Sequence, residues 1–568
     1  MRTLDFEIKA KDIAARIGKL KISQKEIETP ALLPVYNLNK QIISIHDLKR
    51  EFKINAIMTN AYSLFKNEKF RDDVKEKGIH KFLNFSGLIA TDSGSYQLMR
   101  YGFVSVSNEE ILKFQEQIRV EIGSFLDIPT LPFAYKKNAE QDLTTTLERA
   151  KEAKNFDIVI NAGIQGSTFL DLRKRAAKFI GKEFQLCAIG GIVKLMEDYK
   201  FSDLAKIILT VKKNIPSDRV VHAFGLGHPM LFSFAVALGC DLLDSAAYAL
   251  FAQDDRYLTS EGTKKISSLE YLPCSCKVCE NFNAKEIREM EKNKRETELA
   301  KHNLYVTLEE IKKIKQAIKE QALWEFLEIR ARAHPELFLC LKEIQRHKKF
   351  LAKLDMITKK QGFYFLSNES KNRTEIVNAK ERIKRINSKN SVELKPFGRV
   401  PIEILEIYPF NSLMPKEEKI KIDEIQKIRQ IMNYQFGINA ENTLPEKFHV
   451  KKSRKTLRAR AIYYGREMIA SIRASDHFII PHKFLAEKLH EKFPYPNLRV
   501  VIHDDAVQFV KQGKSVFAKF VLDIDKNLRA GDEVLIVDKK DNLLRTGTLL
   551  LSPIEAKTFK RGVAVRVR

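Results

Sequence analysis

Cysteine is scarce in this chain and unevenly placed. There are six cysteines in 568 residues, and three of them sit together at Cys274, Cys276 and Cys279. That clustering excludes a disulfide framework, which spreads its cysteines along the chain. Cys187, Cys240 and Cys340 stand alone in apolar contexts and read as core thiols. A reducing cytoplasm fits this usage. Long apolar runs are missing as well. The most apolar window, Met230 to Ala252, is broken by Asp241 and Asp244, and two acids there argue against a membrane span. Met1 to Leu20 is charged throughout and lacks the apolar core of a signal peptide. Acids are in deficit: 73 Asp+Glu face 99 Lys+Arg, a net charge of +26. A surplus of that size points to a polyanionic partner, nucleic acid first.

What is present is regular. The length suggests about three to four domains, and 44% hydrophobic with 30% charged residues suits a folded chain. Residues 1–345 alternate short apolar runs with amphipathic helical stretches. The runs begin at Ala56, Leu88, Ser124, Asp157, Leu186, Val220 and Asp241. Ser107-Asn108-Glu109-Glu110 and Thr307-Leu308-Glu309-Glu310 each read as a capping box that starts a helix. Such alternation predicts parallel strands with crossover helices, and seven or eight units predict an α/β (β/α)8 barrel, with a doubly wound open sheet as runner-up.

Each run is followed by a polar or glycine position. Asp92 follows the second, Asp127 the third, Gln165 the fourth, Gly190-Gly191 the fifth, Gly225 through His228 the sixth, and Asp244 the seventh. In a barrel these carboxyl ends share one face, which carries the active site. Alone, Asp92 reads as a helix cap or a salt-bridge partner and Asp127 as a cap before Pro129. Their recurrence with Asp244 points to one pocket. Downstream, Cys274, Cys276 and Cys279 with His302 form a Cys3His set, suited to one structural zinc with no open position. His222 and His228 are alternative fourth ligands.

The remainder divides into a small α/β connecting module at 346–430, a basic α+β module at 431–495 and a strand-rich β-barrel at 496–568. The second holds Lys451 through Arg460 followed by Tyr463-Tyr464-Gly465-Arg466. Basic residues interleaved with aromatics suit phosphate neutralisation plus base stacking; a solvated helix face is the plainer reading.

Together, Thr91 through Gln97, Phe125-Leu126-Asp127, Gly163 through Gly166, Ala188 through Gly191, Asp241 through Ser245 and the Cys3His set resemble the tRNA-guanine transglycosylases. Val500 through Ala506, Gly531 through Val534 and Gly562 through Val565 resemble a PUA RNA-binding domain, an arrangement similar to the archaeal, multidomain branch. The resemblance implies exchange of guanine at position 15 of the tRNA D-loop for 7-cyano-7-deazaguanine (preQ0), toward archaeosine, in a homodimer. It implies tRNA contacts at the D-loop, elbow and acceptor stem.

Base exchange with retention at ribose C1′ needs a nucleophilic carboxylate and a proton-transfer group. Asp244 and Asp92 are the two, and the sequence leaves their roles open; the resemblance implies Asp244 as nucleophile and Asp92 as acid/base. Asp127 can accept from N1–H and the 2-amino group of guanine or preQ0. Gln165 and the backbone at Gly190, Gly191 and Ile192 would face O6, and Tyr96 would stack on the base. Rival readings are an archaeosine-synthase-type paralogue acting on preQ0 already in tRNA, a non-catalytic tRNA-binding protein and a zinc hydrolase. The intact carboxylates disfavour the first two, and a closed zinc set the third.

Overall fold

The computed structural model describes residues 3–95, 97, 105–388, 390–413 and 422–568. Tyr96, expected to stack on a base, lies outside the described residues. The chain forms two units, one of residues 1–10, 15–319 and 326–344, the other of 11–14, 320–325 and 345–568.

The first unit is built on eight parallel strands, labelled in barrel order: β1 (Ala31–Pro34), β2 (Ala56–Asn60), β3 (Leu88–Asp92), β4 (Ile122–Gly123), β5 (Val159–Ile164), β6 (Leu186–Ile189), β7 (Val220–Ala223) and β8 (Leu242–Ser245). Neighbours pair in sequence order, β8 returns to β1, and a bridge between Val35 and Met58 closes the ring. This is the expected (β/α)8 barrel. Its strands are buried nearly throughout, so they read as unbroken apolar runs.

Three details differ from the sequence reading. The alternation shows no strand at Ala31–Pro34, where Pro30 and Pro34 interrupt the apolar pattern. The proline is tolerated for a geometric reason. Ala31 and Val35 donate to Asp241 and Ser245 on the β8 side, so by alternation the Pro34 nitrogen faces β2, where the seam closes only further along, through Tyr36 N–H to Met58 O at 2.7 Å. The pattern puts the third run at Ser124–Leu126, yet the ladder lies at Ile122–Gly123. Side chains hold the residues just beyond it: Gln115 accepts from Ser124 N at 2.9 Å and Asn108 from Leu126 N at 2.9 Å. The capping box at Ser107 is present. The one at Thr307 is not: Thr307 lies inside the helix Lys292–Glu320 and donates its hydroxyl to Asn303 O.

The N-terminus folds as a three-stranded sheet of Leu4–Asp12, Ala15–Ile22 and Lys25–Thr29. In the second unit a four-stranded antiparallel sheet spans His449–Pro481, and a six-stranded sheet spans Arg499–Val567. The basic stretch at 451–460 is a strand, turn and strand rather than a helix face, and Lys451, Lys452, Arg454, Lys455, Arg458 and Tyr464 are exposed on it. Among the described residues no helix is long and apolar enough to cross a membrane.

Candidate active site and metal centre

Asp92 ends β3, and its surroundings are fixed locally. Asn60, at the end of the neighbouring β2, caps the helix Ala61–Lys66 by accepting from Ser63 N at 2.7 Å. That bond settles the amide orientation, so Asn60 Nδ2 is left to donate to Asp92 Oδ2 at 3.0 Å. Gly94 N–H donates to Asp92 Oδ1 at 3.2 Å. The residue is partly exposed, and desolvation by the surrounding protein pushes its pKa up to about 6. The Gly94 and Asn60 bonds oppose the rise, and the charges of Asp127 and Asp244 add to it. Asp92, Asp127 and Asp244 all stand at or beyond the carboxyl ends of parallel barrel strands, and so on one face of the barrel.

Asp127 does not cap a helix. It accepts from Gln165 Nε2 at 2.5 Å and from Ser95, and burial raises its pKa. Glycines make room for the pair. A Cβ on Gly163 would lie 2.4 Å from Asp127 Oδ2, and one on Gly190 2.2 Å from Gln165 Nε2. Gln165 is buried, with Nε2 donating to Asp127 and Oε1 without a hydrogen-bond partner among the described residues. Gly190, Gly191 and Ile192 follow β6 directly, with Gly191 at φ +65°. Arg173, on the helix Leu170–Glu183, holds this wall from behind: its guanidinium donates to the carbonyls of Ser167, Ile164 and Gly190. Burial lowers its pKa to about 9.

Asp244 lies on β8 and accepts from Gly225 N–H at 2.6 Å through Oδ1. His222 Nε2 stands 2.9 Å from the same oxygen. Three residues away on the chain, Asp241 has a different fate. Its carboxylate takes two bonds of 2.7 Å from the Arg16 guanidinium and one of 2.8 Å from Val221 N, which leaves it a structural anion.

The Cys3His set converges as expected. The donor atoms of Cys274, Cys276, Cys279 and His302 lie within 4.8 Å of one another. Cys276 and Cys279 Sγ are 3.6 Å apart, and each is 3.4 Å from His302 Nδ1. Tetrahedral zinc, with bonds of about 2.3 Å to sulfur and about 2.0 Å to nitrogen, requires edges of about 3.8 and about 3.5 Å. The residues therefore fit a four-coordinate metal ion. His302 Nε2 donates to Leu258 O at 2.9 Å, which turns the Nδ1 lone pair toward the thiols. Tyr257 stacks on the imidazole at 3.6 Å. His222 and His228 belong to the barrel and take no part.

A family model described as queuine tRNA-ribosyltransferase matches residues 11–336. A tRNA-guanine(15) transglycosylase of Thermococcus onnurineus is 45% identical over 99% of this chain and 98% of its own length. The chain belongs to the tRNA-guanine transglycosylase family. Proteins of the same description from Pyrococcus furiosus and Methanocaldococcus jannaschii are 45% and 40% identical, each across 100% of this chain and at least 98% of their own. Residues 426–496 match a patch-forming C2 domain of tRNA-guanine transglycosylase, and 498–568 a PUA domain. In this transglycosylase chain, sequence reasoning passes over Asn60 and Arg173, and sets His222 among the barrel-face motifs without giving it a task. Asn60 carries a legible signal, an Asn at a strand end before a helix. Arg173 carries none, since its helix reads as an ordinary amphipathic one.

Proposed function

We propose that this chain exchanges guanine at position 15 of tRNA for preQ0 through a ribosyl-enzyme ester. The observation that carries the reading is the convergence of Asp92, Asp127 and Asp244 on one barrel face, with Asp92 held near neutral pH. Asp244 attacks C1′ as the bond to guanine N9 breaks. Asp92, at a pKa suited to give and retake a proton, protonates the departing base and deprotonates the incoming one. Asp127 accepts from N1–H and the 2-amino group. The backbone N–H groups at Gly190 to Ile192 and the second Nε2 hydrogen of Gln165 donate to O6, and a stacking role for Tyr96 rests on the family resemblance. The metal held by Cys274, Cys276, Cys279 and His302 is one zinc. Four protein donors leave it no open position, so it braces the fold rather than the reaction.

The exposed cations around 451–466 and the domain at 498–568 grip tRNA, which supplies the energy to expose a base engaged in tertiary pairing. The divisions at 345, 430 and 495, a homodimeric assembly and a cytoplasmic setting belong to the same reading and rest on the family resemblance. The test is incorporation of radiolabelled preQ0, and of guanine, into unmodified tRNA. Wild type incorporates label and Asp244→Asn does not. Wild-type protein that incorporates neither base overturns the reading.

A further inference from the structure

His222 is buried beside the reacting centre and has no part in the mechanism above. It sits on β7 with 1% exposure. Its Nδ1 lies 2.9 Å from Asn161 Nδ2 on β5, and its Nε2 2.9 Å from Asp244 Oδ1. Register explains the meeting. Asn161 pairs with Leu186 and His222 with Ala188, so β6 separates the two strands and the side chains reach each other across the barrel interior. The ring is further braced edge-on by Phe224 at 5.0 Å.

The protonation follows from the partners. The Asn161 amide donates to Nδ1, so the proton of a neutral imidazole resides on Nε2. Nε2 faces a carboxylate oxygen, and two acceptors would not rest at 2.9 Å. The Nε2–H···Oδ1 alignment is off that of a full hydrogen bond in this state, which leaves Nε2 without a partner among the described residues. Gly225 N–H and His222 Nε2 thus both address Oδ1. Oδ2 has no partner among the described residues.

We propose that Asn161 and His222 form a positioning pair that clamps Oδ1 of Asp244 and leaves Oδ2 to attack ribose. When Oδ2 bonds C1′ and the C1′–N9 bond breaks, Oδ1 becomes the ester carbonyl. When the incoming base displaces Asp244, the C1′–Oδ2 bond breaks and the carboxylate regains its charge. Gly225 N–H, already bonded to Oδ1, and His222 Nε2, 2.9 Å from it, stabilise that departing charge in the manner of an oxyanion hole. The inference rests on Asp244 as the nucleophile.

The experiment measures preQ0 exchange into tRNA by His222→Leu, His222→Gln, Asn161→Ala and Asp244→Ala, with kcat, both KM values and accumulation of the tRNA–enzyme adduct. His222→Leu is expected to lose about 30–1000-fold in kcat, with KM for tRNA and base within about threefold of wild type. His222→Gln, which keeps an N–H donor, restores at least about tenfold of that loss, and Asn161→Ala falls between the two. A residue with a purely packing role would show neither the split between kcat and KM nor rescue by Gln. If His222→Leu does not fold, the comparison of His222→Gln with Asn161→Ala decides: equal and wild-type kcat in both overturns the pair. An active Asp244→Ala overturns the nucleophile assignment instead. An inactive Asp244→Ala beside a fully active His222→Leu overturns only the inference.

Discussion

Replacing Asp92 with Asn should remove the proton chemistry and, at neutral pH, stabilise the barrel. The protein holds this carboxyl at a pKa of about 6, against an ordinary value of 3.8. The folded state therefore binds its proton more tightly than the unfolded state does. Stability falls as pH rises from the unfolded value through about 6, and above that the full penalty is present. About two pKa units amount to about 3 kcal/mol. Because the residue keeps partial exposure, solvent screening reduces this to about 1–3 kcal/mol. Against it stands a pH-independent cost. The Asn60 amide is fixed as a donor by its cap, as is Gly94 N–H, and the substituted amide offers one carbonyl to the two donors. Losing one bond costs about 1 kcal/mol. The diagnostic is thus the pH dependence. Thermal unfolding of Asp92→Asn and wild type is compared at about pH 5 and about pH 8. The variant should gain roughly 1–5 °C relative to wild type between the two conditions, while exchange activity is lost. A melting difference that is the same at both pH values, or that moves the other way, refutes the argument that burial and the two neighbouring carboxylates strain Asp92.

Three further outcomes follow from other parts of the molecule. Gly190→Ala places a methyl 2.2 Å from Gln165 Nε2. It should raise KM for the free base by about tenfold or more, with tRNA affinity unchanged in a filter-binding assay. Purified protein should carry one zinc per chain by mass spectrometry of the metal. Cys279→Ala should carry almost none and melt lower, since loss of a closed structural site removes folding energy. Deleting 496–568 should weaken tRNA binding and flatten its salt dependence. Each phosphate contact removed lowers the log–log slope by about 0.7–0.9, and unchanged affinity would refute a role for that segment in tRNA binding.

The comparison of two similar motifs shows how far local signals carry. Ser107 and Thr307 each precede Glu at the third position, and each reads as a helix start. Ser107 is one, with Glu110 returning the bond to its backbone. Thr307 is not, because upstream residues, His302 and Asn303 among them, are already helical and packed against the Arg256–Leu258 strand. A capping box is a local preference worth about 1 kcal/mol, and burial of a helix face outweighs it. The metal set is legible for the opposite reason: three thiols in six residues have few other uses, and only the histidine has to be found at a distance.

Sequence alone determined the alternation that makes a parallel barrel, the order of acids and glycines at its strand ends, and the Cys3His set. These are properties of periodicity and of local chemistry. It did not determine what each acid does. Asp241 and Asp244 share one apolar window, and both argue equally against a membrane span. The tertiary structure separates them. Arg16, 225 residues away, fills both oxygens of Asp241. Asp244, at the other end of the strand, has one oxygen held by Gly225 and faced by His222, while the other has no partner among the described residues. The difference lies in burial and partnership. A carboxylate's reactivity depends on the donors around it, and those donors come from strands and helices that only folding brings within reach.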